Sequence, residues 1–147
     1  AIAGLTALLS LSMCGTALAA TLASGMLANA LNVLYRGPGW NSIGFSTAMF
    51  AIVGLLCADM LVRSRASGIL RRAAVPAAAA AAFLALLGTE GENIDYAAHI
   101  FGLACGFITG LAVGAAMRHT SPERPLQEFL LGAAAAACVA CCWLLAL

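Results

Sequence analysis

Charged residues are scarce in this 147-residue sequence, and lysine is missing altogether. Asp, Glu and Arg together make up 9% of the chain, hydrophobic residues make up 63%, and the formal net charge is only +1. A soluble domain carries far more charge than this. With seven arginines and no basic cluster among aromatic residues, the sequence also argues against a nucleic-acid partner. The composition therefore predicts an integral membrane protein in contact with the lipid bilayer.

Apolar runs separated by short polar joints make up most of the chain, and several have roughly the 20 residues that cross the hydrocarbon core. A segment in lipid must satisfy its own backbone polar groups, and the alternating pattern of a membrane barrel strand is absent from the sequence. The predicted fold class is therefore all-α, a polytopic transmembrane helix bundle. The predicted spans are 15–35, 43–62, 73–88, 94–117 and, after a loop from residue 118, 126–147.

The first residues are also apolar, and Gly15-Thr16 interrupts the pattern after them. Residues 1–14 are either the end of a preceding helix or an extension of the first span, and periodicity does not choose between the two. Because the chain begins with Ala1 and enters apolar sequence at once, we expect an N-terminally truncated sequence.

The cysteines have no metal-type spacing with a histidine, so the sequence predicts neither a metal site nor a cofactor. We expect them to be small buried hydrophobic side chains. All six lie inside apolar runs: Cys14, Cys57, Cys105, Cys138, Cys141 and Cys142.

The arginines predict the orientation. The densest positive cluster is Arg63, Arg65, Arg71 and Arg72, and by the positive-inside rule this loop faces the cytoplasm. The loop that follows span 73–88 is acidic and has no arginine, as expected for the outer side.

Two residues near the arginine loop are unusual for membrane spans. Asp59 lies within a turn of the polar end, so its carboxylate is expected to snorkel or to pair with a nearby arginine. Pro76 is expected near the first turn of span 73–88, where its missing N–H costs little.

Ser46 and His99 are predicted at similar depth toward the outer face. Ser46 lies about three residues into its span and His99 about five into its own, and the chain crosses the membrane twice between them. An imidazole beside a serine hydroxyl can take its proton and make it a nucleophile. The spacing permits such a dyad. The alternatives are an N-cap or packing serine, and a structural histidine bonded to a carbonyl.

After His99, glycines recur every four residues on one helix face. Such a stripe lets a neighbouring helix approach closely. Because it continues the face of His99, we expect that neighbour to be the helix of Ser46, although a dimer contact is the alternative. The stripe comprises Gly102, Gly106, Gly110 and Gly114.

Two motifs resemble those of the rhomboid intramembrane serine proteases. Residues 43–50, Ile-Gly-Phe-Ser-Thr-Ala-Met-Phe, preceded by Gly-Pro-Gly at 37–39, look like the Gly-x-Ser serine helix of that family. Residues 95–102, Asp-Tyr-Ala-Ala-His-Ile-Phe-Gly, followed by Gly106 and Gly110, are similar to its histidine helix. The motifs occur in the family's order with one helix between them. The resemblance covers residues 15–117, which would be the third to sixth core helices, with 118–147 adding one more.

The resemblance implies that Ser46 is the nucleophile and His99 the general base, without an acidic third member. Asp95 is then expected to start its helix. Phe50 stands where the family has an aromatic residue packed against the histidine. Gly44 would leave room for the substrate, and Phe45, at an often small position, would narrow the cleft. The family's oxyanion-binding His and Asn would precede this sequence.

The resemblance implies that the protein cleaves transmembrane segments of other membrane proteins near their outer ends. The expected location is the bacterial inner (plasma) membrane. One alternative is an inactive rhomboid-like protein that binds transmembrane clients. Another is an unrelated bundle such as part of a transporter, which the scarcity of intramembrane charge disfavours.

Overall fold

The computed structural model describes residues 14–37, 45–64, 68–87, 95–117 and 125–145, and within these ranges the regular structure is entirely α-helical. The all-α class predicted from the sequence is confirmed. Four of the described helices are long and apolar enough to cross a membrane, namely the first, second, fourth and fifth. The helices are α1 (Cys14–Arg36), α2 (Ser46–Arg63), α3 (Ile69–Leu87), α4 (Tyr96–Met117) and α5 (Pro125–Leu145).

The start of α3 differs from the prediction. Gly68 has a φ of +87° and its carbonyl accepts the N–H of Arg72 at 3.2 Å, so the helix begins at Ile69 and includes Arg71. Pro76 therefore lies inside α3 and not near its first turn, and that prediction was wrong.

Helices α2 and α4 run side by side and parallel, with the glycines of α4 against the backbone of α2. A Cβ on Gly102 would lie 2.5 Å from the Thr47 carbonyl oxygen, and one on Gly106 would overlap the Ala51 carbonyl. The neighbour of the glycine stripe is thus the helix that carries Ser46, as expected. Further along, Gly110 meets Leu55 and Ala58, and Gly114 meets Val62.

Helix α1 runs antiparallel to this pair. Its Asn32 reaches Asp95 just before α4, and Gly25 packs on Ala48 near the start of α2. The bundle therefore has two ends, which we call the Ser46 end and the Arg63 end. The chain must cross between them after α2, and α3 makes that return.

Two buried hydroxyls of α1 are satisfied within the helix. Thr21 and Ser24 are buried, and their hydroxyls donate to the carbonyls of Ala17 and Ala20 at 2.8 and 2.7 Å. Hydroxyls bonded back to the preceding turn carry no unpaired group into an apolar bundle.

Helices α3 and α5 join the bundle at its edges. The Cys57 thiol of α2 donates to the Pro76 carbonyl of α3 at 3.2 Å. At the Arg63 end, the Glu128 carboxylate of α5 accepts the backbone N–H of Thr16 at 2.8 Å and also its hydroxyl. A Cβ on Gly15 would overlap the Glu128 carbonyl, so the α1 and α5 backbones touch directly.

Of the two alternatives for Asp59, snorkelling or pairing with a nearby arginine, the structure has the pair, with Arg63 one turn later on α2. The Nε of Arg63 lies 2.7 and 2.8 Å from the two carboxylate oxygens. The pair neutralises both charges at the end of the helix, where the arginine is half exposed, and the expectation is confirmed.

Candidate active site

Ser46 occupies the first residue of α2, not the third or fourth. Phe45 is the N-cap residue and has helical backbone angles, with φ −69° and ψ −6°. The Met49 N–H donates to the Phe45 carbonyl at 3.1 Å. The N-cap alternative for Ser46 therefore does not hold, since the serine is already inside the helix. Its side chain is half-buried.

Phe50 of α2 stacks on His99 of α4, the fourth residue of its helix. The ring centroids are 4.2 Å apart and the planes are inclined by 24°. Behind this pair, Phe83 of α3 meets Phe50 edge-on at 5.3 Å. Phe50 is 2% exposed and His99 is 6% exposed. Packing by Gly102, one turn after His99, holds the two rings at this distance.

Ser46 stands one helical turn before Phe50, on the same face of α2. The structure thus brings the serine turn and the histidine turn to the same end of two parallel helices. Among the described residues, no hydrogen bond joins the Ser46 hydroxyl to the His99 ring. The buried Nδ1 atom of His99 has no hydrogen-bond partner within that part of the chain.

Asp95 lies directly before α4 and begins the helix, as expected. Its carboxylate Oδ1 accepts the Ala98 N–H at 3.2 Å, and its backbone carbonyl accepts the His99 N–H, also at 3.2 Å. Its carboxylate also binds α1, where Asn32 Nδ2 donates at 2.6 Å and the Arg36 guanidinium lies at 3.0 Å.

Asn32 and Arg36 were not among the predicted site residues. The available signal was an amide inside an apolar run with a cation one turn later on the same face. What the sequence did not indicate was the partner, because Asp95 lies 63 residues further along the chain.

Phe45 and Gly44 were the other residues predicted to line the substrate cleft. Phe45 is 65% exposed, so its ring lies at the surface of the described chain. Gly44 falls outside the described residues. Within the described ranges, no group of three or more His, Cys, Asp or Glu residues could hold a metal ion.

The fold and this site together define a class, a polytopic helical membrane protein in which a buried histidine stacks on a phenylalanine one turn after a serine at a helix start. Comparison with protein families identifies the family within this class, because the Rhomboid domain family matches residues 10–116. The chain belongs to the rhomboid family. No curated protein and no solved structure gives a significant match. The match ends within α4, so α5 lies beyond the family domain.

Proposed function

We propose that this protein is an intramembrane serine endopeptidase in which Ser46 and His99 form a catalytic dyad. The observation that carries the proposal is the Phe50 and His99 stack, with Ser46 one turn before Phe50 on the same face. An ionisable side chain buried among apolar helices is energetically costly, so a histidine in this position suggests a functional role. Here His99 packs against α2, and the first residue of α2 is Ser46.

In the proposed reaction, His99 takes the proton of the Ser46 hydroxyl as the oxygen attacks the carbonyl carbon of a peptide bond. The tetrahedral intermediate collapses, the C–N bond breaks, and His99 gives the proton to the leaving amine. Water then attacks the acyl ester while His99 takes a proton from it, and His99 gives that proton to the Ser46 oxygen as the C–O bond breaks and the acid is released.

The intermediate needs donors aimed at its oxyanion. The N–H groups of Ser46, Thr47 and Ala48 precede the first intrahelical bond of α2, which Met49 makes to Phe45. The first N–H groups of a helix have no partner within it. Their position next to the nucleophile supports a role as backbone oxyanion donors.

Asp95 supports a dyad over a triad. Its carboxylate is bonded to Asn32, Arg36 and the Ala98 N–H, and these contacts favour a structural role at the helix start. The histidine would then work without a carboxylate on its ring, as the rhomboid resemblance implies.

The proposed substrates are transmembrane segments of other membrane proteins, cleaved near their outer ends. The Ser46 end carries the polar residues Asn32, Arg36 and Asp95, which support access of water from that side. By the positive-inside rule the Arg63 end, with Arg71 and Arg72 nearby, would face the cytoplasm.

Labelling by a fluorophosphonate probe tests this proposal. The detergent-solubilised protein should react through Ser46 with loss of fluoride, and Ser46→Ala and His99→Ala should each abolish labelling. Ser64→Ala, at the other end of the same helix, and His119→Ala are matched controls that should label like the wild type. An unlabelled wild type would sink the proposal.

The missing hydrogen bond between Ser46 and His99 favours one second candidate, an inactive rhomboid-like protein that binds transmembrane clients. It predicts client binding that Ser46→Ala and His99→Ala leave unchanged, with no reaction at the serine. Proteolysis of a reconstituted transmembrane substrate separates the two candidates, since only the first predicts a cleaved product.

A further inference from the structure

The first turn of α4 depends on one residue outside the helix. Asp95 accepts two backbone N–H groups, that of Ala98 on its carboxylate and that of His99 on its carbonyl. Side chains that bond the first turn hold the direction in which a helix begins. The orientation of His99 is therefore tied to the position of Asp95.

The position of Asp95 is in turn fixed from α1. Asn32 Nδ2 donates to carboxylate Oδ2 at 2.6 Å, and Arg36 Nη2 lies 3.0 Å from Oδ1. The two donors are one helical turn apart on α1 and bind different oxygens of the same carboxylate. A carboxylate held at both oxygens cannot rotate freely, and charge-assisted bonds of this kind are the stronger ones.

Stability alone does not explain the asparagine. Asn32 is only 2% exposed, and its Oδ1 atom is buried with no partner among the described residues. An unsatisfied buried acceptor costs on the order of 1–3 kcal/mol, which an apolar side chain of similar size would avoid. The cost of the unpaired Oδ1 atom offsets much of what the Nδ2 bond to Asp95 contributes to stability. We therefore attribute the buried amide to the geometry that its Nδ2 atom enforces.

We infer that Asn32, Asp95 and Arg36 form a positioning cluster that holds the His99 turn of α4 in register with the Ser46 turn of α2. The inference rests on the proposed function. Asp95 accepts the Ala98 and His99 N–H groups at the start of α4, so its position is passed to His99 through the backbone of the first turn. Asn32 and Arg36 are positioning residues in the same sense.

The kinetics of fluorophosphonate labelling measure this role. Asn32→Leu, which keeps the branch at Cγ and removes the amide, and Asp95→Ala should lower the maximal inactivation rate by roughly ten- to a hundredfold, as expected for a misplaced catalytic group. The probe concentration for half-maximal rate should stay within about twofold. Asp59→Asn is the matched control, because it breaks a carboxylate and arginine pair at the opposite end and should change neither constant.

An exchange variant separates positioning from simple destabilisation. In Asn32→Asp with Asp95→Asn, the amide at 95 can donate to the carboxylate at 32, and Arg36 lies one turn from that carboxylate. The double variant should recover most of the labelling rate that is lost in Asn32→Asp alone and in Asp95→Asn alone. If the double variant is as slow as the slower single variant, the cluster does not act through this contact and the inference fails.

Hydrogen–deuterium exchange of the peptide that contains Ala98 and His99 gives a reading without activity. Asp95→Ala should accelerate exchange of these two amides and leave peptides from the Arg63 end unchanged. Unchanged exchange would overturn the inference.

The same experiments distinguish a failure of the proposed function from a failure of the positioning role. A wild type that does not label overturns the proposed function, and with it the catalytic part of this inference. A labelling wild type with unaffected Asn32 and Asp95 variants overturns the positioning role alone.

Discussion

The ring of Phe50 lies flat against the ring of His99, 4.2 Å away between centroids. No other aromatic contact in the described chain joins α2 to α4. This contact lets α2, which carries the proposed nucleophile Ser46, hold the orientation of the His99 ring. If the His99 ring rotated, it would lose its contact with Phe50 and leave a cavity between the two helices.

Phe50→Leu should therefore slow labelling at Ser46. An aromatic pair contributes about 0.5–1.5 kcal/mol beyond its buried area, which corresponds to a rate change of up to about tenfold. Phe83→Leu, which removes only the edge contact behind Phe50, is the control, and a loss as large as that of Phe50→Leu would contradict the assigned role.

Gly106→Ala should destabilise the bundle. The new methyl group would overlap the Ala51 carbonyl, and overpacking of this kind costs about 1–3 kcal/mol. Thermal unfolding in detergent should show a lower midpoint. Gly25→Ala is the matched control on α1, because its methyl group would lie 3.7 Å from the Ala48 Cβ in ordinary contact. Equal losses in both variants would refute backbone contact between α2 and α4.

Glu128→Ala should loosen α5 from α1. It removes the acceptor of both Thr16 bonds, and hydrogen bonds to a charged group contribute about 1.5–3 kcal/mol each. Limited proteolysis between α4 and α5 should become faster. Thr16→Val loses only the hydroxyl bond and should show a smaller effect. Labelling at Ser46 should change by less than about twofold, since the contact lies at the Arg63 end, and a large loss would show coupling along α1.

Arg71 and Tyr96 should lie on opposite sides of the membrane. Both are exposed, one near the start of α3 and the other at the first residue of α4. In a cysteine-free background expressed in bacterial cells, an impermeant maleimide should label Tyr96→Cys in intact cells and Arg71→Cys only after permeabilisation. The reverse pattern would invert the predicted orientation.

The sequence predicted the features of the fold that arise from local pattern. Apolar length predicted helices, and the four-residue period from Gly102 predicted close packing, which α2 supplies. It also predicted that Asp59 either snorkels or pairs with a nearby arginine, and Arg63 supplies the pair.

Features that depend on distant residues or on helix starts were predicted less well. Periodicity did not indicate that α2 begins at Ser46, since apolar residues precede it. It also did not indicate that α3 begins at Ile69, since Arg71 and Arg72 were assigned to the loop. Asn32 was missed because its partner Asp95 follows two further helices, and an amide in a membrane span has many possible partners.

The glycine contacts between α2 and α4 have a consequence for the lipid around them. Bilayers of different thickness change the tilt of single helices, but two helices whose backbones touch at Gly102 and Gly106 can only tilt as one body. The spacing between the turns of Ser46 and His99 is therefore set by the protein itself, and a thinner or thicker membrane would rotate the site as a whole without pulling its two halves apart.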